Sequence, residues 1–157
     1  MLKRIFEDDR VIELKRFEQL IQAIRSANPS LQISVDFNHD HVHALADMPK
    51  QLGLDFDVSL NLQNRDELHI CIGHFWCEWF PCSDQLVSDR FTAAVLGVLS
   101  GQYRVIEQGI CKIVTRAVLQ KLEQGCWTPV ARSMSGLAGL VPWWPVVRIL
   151  QNRSTST

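Results

Sequence analysis

What this 157-residue chain lacks narrows its chemistry first. None of its five cysteines (71, 77, 82, 111 and 126) are spaced C-x-x-C and their number is odd, so free buried thiols are expected rather than a disulfide framework or a cysteine zinc site. A phosphate-binding loop is missing: SGLAGLVP, residues 135–142, has neither the lysine nor the preceding strand that such a loop needs. Ser100, Ser133 and Ser135 lack the surroundings of an activated serine, and no H-E-x-x-H is present. Arg104, Lys112, Arg116, Lys121 and Arg132 stand singly rather than in a run, which makes nucleic acid an unexpected partner.

Long apolar runs are also absent. Residues 133–147, SMSGLAGLVPWWPVV, carry no charge over 15 positions, but two glycines and two prolines break them and a membrane-spanning helix needs about 20 residues. The opening MLKRIFEDDR has basic residues with no apolar stretch behind them, so no secretory signal is expected and the cytoplasm is the expected compartment. With 46% hydrophobic and 21% charged residues the chain can build one core of ordinary size. A single domain over 1–150 with a disordered tail at 151–157 is expected.

Net charge is −1 but unevenly spread. Residues 1–101 carry 9 basic and 15 acidic side chains (9 − 15 = −6), residues 102–157 carry 7 and 2 (7 − 2 = +5). Attraction between two halves of one domain accounts for this more simply than a nucleic-acid patch.

The richest stretch is ELHICIGHFWCEWFPC, residues 67–82, which holds two Trp and two Phe. Read with period two, both of its faces are largely apolar, and this predicts one central strand covered on both sides. Before it, Val11, Leu14, Phe17, Leu20, Ile21 and Ile24 form the stripe of a helix capped by Asp8 or Asp9 and stopped at Asn28-Pro29. Strict alternation predicts strands over 31–37 and 54–63, while the intervening NHDHVHALADMPKQLG reads as turns with at most a short helix. After Pro81, a cap at Ser83 or Asp84 and a Gly101 stop frame a second helix. A meander over 103–108, 110–119 and 126–132 follows, its middle piece balanced between strand and helix because β-branched residues compete with a helical polar stripe.

The predicted fold class is therefore α+β: an antiparallel sheet of about six strands with two helices packed on it, in the order helix-βββ-helix-βββ, plus an apolar C-terminal segment. A helix followed by a three-stranded meander resembles the opening order of type III secretion chaperones, a likeness of order alone with no residue motif behind it.

Two sets of residues stand out for function. Trp76, Glu78 and Trp79 in the rich strand, with the adjacent Trp143 and Trp144, suit a ligand- or partner-binding surface. The leading expectation is a protein- or small-ligand-binding module without catalysis or cofactor, whose partner is another protein or a second copy in a homodimer. The alternative is a zinc-dependent hydrolase at His39, His41 and His43, which share a face if extended and place two imidazoles one turn apart if helical. An acid–base pair of His74 and Glu78 is excluded on one continuous strand, where four residues span about 13 Å.

Overall fold

The computed structural model describes residues 2–37, 39–110, 113–134 and 145–153, with the backbone alone for 2–11. The first helix, α1 (Leu2–Ala27), starts ahead of Asp8 and Asp9 because nothing in the run breaks it before Asn28, whose N–H still bonds Ile24 O. Its Phe17, Leu20, Ile21 and Ile24 are buried in the core.

Among the described residues nine strands follow in two antiparallel sheets, not six in one, which corrects the predicted architecture. The first sheet runs in simple order β1 (Ser34–Asp36), β2 (Ala44–Met48), β3 (Val58–Gln63), β4 (Glu67–Ile72) and β5 (Phe75–Trp79). Two errors in the sequence expectation have physical causes here. Strand β2 lies where turns were expected; Ala44, Ala46 and Met48 do alternate inward, but small side chains give a weak strand signal. The rich stretch is two strands and not one central strand, because Gly73 (φ +56°) and His74 form a two-residue turn that folds it back on itself. As a result β4 is internal while β5 ends the sheet.

Helix α2 (Gln85–Leu99) begins at Asp84, whose carboxylate accepts from Leu86 N–H at 2.8 Å, and stops before Gly101 (φ +77°), as the sequence predicts. The second sheet has the order β8 (Cys126–Met134), β7 (Ile113–Glu123), β6 (Tyr103–Ile110), β9 (Val146–Leu150). The contestable middle piece is a strand. Strand β9, which the sequence did not predict, begins in the last two residues of the apolar segment 133–147 and pairs antiparallel with β6.

The inner faces of both sheets and the two helices share one core. Leu60, Leu62, Leu68, Ile70, Ile72 and Phe75 of the first sheet join Phe91, Val95 and Val98 of α2 with Val105 and Leu119 of the second. The carboxy end is anchored too: Asn152, in the expected tail, is buried and donates to Gly53 O and Leu99 O at 2.7 and 2.6 Å. Among the described residues no helix is long and apolar enough to cross a membrane.

Candidate functional site

Alternation along the first sheet sends every second side chain outward, and the strand register aligns these into cross-strand rows. One row reads Asp36, Leu45, Asn61, His69, Glu78 from β1 to β5; beside it Gln63 faces Glu67. The Gly73-His74 turn is what brings Glu78 opposite His69. A continuous strand would have kept them apart, and the sequence reading, which excluded a His74–Glu78 pair, did not weigh His69 as the partner of Glu78.

Around His69 the contacts are close. Its imidazole is fully buried, with Nε2 3.2 Å from Glu67 Oε2 and 2.9 Å from Gln63 Nε2. Asn64 Nδ2 donates to the same Glu67 oxygen at 2.8 Å. Trp76, 46% exposed, closes the site from outside, its ring centroid 5.1 Å from that of His69. Ligand atoms of Glu67, His69 and Glu78 all lie within 4.8 Å of one another, and they are the one such group of three among the described residues. Asn61 Oδ1, in the same row, is buried without a hydrogen-bond partner.

Next to this face a cleft of about 450 Å³ is lined by Phe37, His39, Asp40, His41, Val42, His43 and Asn64. The three histidines of the expected zinc cluster are therefore together, with the His39 and His41 rings 5.8 Å apart, and His39 Nδ1 accepts from His41 N–H at 3.3 Å. Asn64 belongs to both places, lining the cleft and holding Glu67.

The other expected residues separate. Glu78 and Trp76 are exposed on the outer face, but Trp79 turns inward and meets Phe91 edge-on with centroids 5.1 Å apart. Trp143 and Trp144 lie outside the described residues. His74 reaches across to the second sheet, where its backbone N–H donates to Glu107 Oε1 at 2.7 Å. Arg148 of β9 closes on the same carboxylate with two bonds, 2.9 and 3.0 Å. Burial by itself would raise the Glu107 pKa, but the hydrogen bonds from Arg148 and His74 outweigh it and hold the carboxyl below its usual range. Burial is also the main reason that the thiols of Cys71, Cys77 and Cys82 are pushed up, which makes poor nucleophiles of them.

The outer face of the second sheet has a different character. Its rows are Ile149, Ile106, Val118, Arg132, then Val146, Gln108, Arg116, Met134, then Arg104, Gln120, Pro129. Three arginines scattered in sequence thus share one face, with no carboxylate in those rows. Arg104 stacks on Trp127, its guanidinium carbon 4.1 Å from the ring centroid. Sequence reasoning missed this convergence because the arginines come from three strands; spacing them by period two along each strand was the available signal. Comparison of the chain with protein-family models, with curated proteins and with solved structures finds no match.

Proposed function

We propose that the protein is a cytoplasmic, non-catalytic interaction module that docks an acidic protein partner on the outer face of its second sheet. The observation that carries this reading is the makeup of that face: Arg104, Arg116 and Arg132 interleaved with apolar side chains, of which Met134 is 60% and Ile149 49% exposed. Apolar area gives such a surface its affinity, and arginine among apolar neighbours is the charged residue that interfaces favour. Charge complementarity selects the partner, since a face with a +5 half of the chain behind it repels basic surfaces and steers acidic ones. Free thiols at Cys71, Cys77, Cys82 and Cys126 suit a reducing compartment.

The test compares an acidic amphipathic helical peptide with its lysine-for-glutamate counterpart by fluorescence anisotropy. Binding of the acidic peptide alone, weakened by salt and at least about tenfold by Arg132→Glu with Ile149→Asp, is expected. Equal binding of both peptides, or indifference to the double substitution, overturns the reading. Concentration-dependent mass in light scattering that the same substitutions abolish replaces the acidic partner with a second copy of the chain. A zinc-dependent hydrolase at His39, His41 and His43 is the second reading, favoured by the single cleft that the three histidines line.

A further inference from the structure

We infer that Glu67, His69 and Glu78 form a binding site for one divalent transition-metal cation of the zinc class, on the first sheet and independent of the docking face. Backbone register alone places the donors. Glu67 and His69 are two apart on β4 and so share its outer face, and Glu78 of β5 is the cross-strand partner of His69.

Distances support the assignment. A tetrahedral zinc site with bonds of about 2.0–2.1 Å has ligand atoms about 3.3 Å apart. His69 Nε2 and Glu67 Oε2 are already 3.2 Å apart, and the third donor, within 4.8 Å, belongs to Glu78, exposed on the end strand. An imidazole with two carboxylates selects zinc or a neighbouring first-row ion over calcium or magnesium, which take oxygen ligands.

The surroundings are those of a metal site. Ligating side chains are commonly held by outer hydrogen bonds, and here Asn64 holds Glu67. Trp76 covers the ring and keeps water from that side. Asn61 Oδ1 supplies an independent pointer: a buried carbonyl oxygen without a partner, in the row of His69 and Glu78, fits as a further ligand or as the acceptor for a cation-bound water.

Chelator-stripped full-length protein titrated calorimetrically with zinc chloride tests this, with calcium chloride as the comparison. One zinc per chain is expected, with no calcium uptake, and cobalt should give a visible absorption band together with indole quenching that Trp76→Phe reduces. Glu78→Gln, at an exposed position that leaves the core intact, should weaken uptake at least about tenfold, whereas His39→Ala with His41→Ala should leave it unchanged. Absence of saturable uptake overturns the inference, as does uptake indifferent to both Glu67→Gln and Glu78→Gln. Uptake lost only in the His39/His41 variant assigns the cation to the cleft and overturns it equally.

Discussion

The two sheets bury equivalent inner faces in one core yet turn opposite surfaces outward. On the first, the outer rows hold Asp36, Leu45, Asn61, Gln63, Glu67, His69 and Glu78, a largely polar set in which Gln63, His69, Glu67 and Asn64 lie within hydrogen-bonding reach of one another. On the second, Ile106, Val118 and Ile149 alternate with arginines. Polar side chains in hydrogen-bonding reach of one another suit a small charged ligand, whereas the exposed Val146, Ile149 and Met134 of the second face would gain most from a partner that removes them from water.

The strongest way to break this comparison is at the core they share. Phe91→Ala removes a fully buried ring that meets Trp79 and should cost about 3 to 5 kcal/mol in denaturant titration. A cost near that of a surface change would mean that the sheets do not rest on a common core.

Next in size is the tie between the sheets. Glu107→Gln leaves the half-exposed Arg148 guanidinium without its carboxylate and should cost on the order of 2 kcal/mol near neutral pH. The sign with pH follows from the lowered carboxyl: its stabilisation is complete above the usual glutamate value of about 4.3 and is lost as pH falls through the lower folded value. Wild type should therefore lose more stability than the variant between neutral and strongly acidic pH, and parallel curves would remove Glu107 as the linking group. A smaller loss, about 1 to 2 kcal/mol, is expected of Gly73→Ala from the left-handed backbone alone, and more if Glu107 and Arg148, which the new methyl would meet, cannot shift.

Smallest of all should be Ile149→Asp on the outer face of the second sheet, within about 0.5 to 1 kcal/mol in stability, since the side chain is half exposed. A loss as large as that of Phe91→Ala would place Ile149 in the core and take the docking surface with it.

How far the sequence could be read follows the same division. Where one face is strictly polar, as in β3, alternation located the strand and its inward residues Val58, Leu60 and Leu62 correctly. The cap at Asp84 and the stop at Gly101 were equally legible, since each is a local backbone requirement. Periodicity failed at 67–82 because a two-residue turn preserves alternation on both sides of itself, so a hairpin and a long strand look alike unless Gly73 is given the weight of its positive φ. The candidate site inherited that error: Glu78 was identified, but His69, its neighbour across the hairpin, was not. The second sheet's outer face was invisible for another reason. Pairing β9 with β6 joins residues some forty positions apart, and no local pattern reports it.

That same long-range pairing bears on synthesis at the ribosome. Glu107 emerges well before Arg148, so a nascent chain can lay β6 against β7 but has no guanidinium to offer the carboxylate that the folded domain buries. Neither can it fasten the Gly53 and Leu99 carbonyls, which wait for Asn152. Translation therefore delivers Arg148 and Asn152 well after the groups they fasten, and tight packing of the two sheets against each other waits for them.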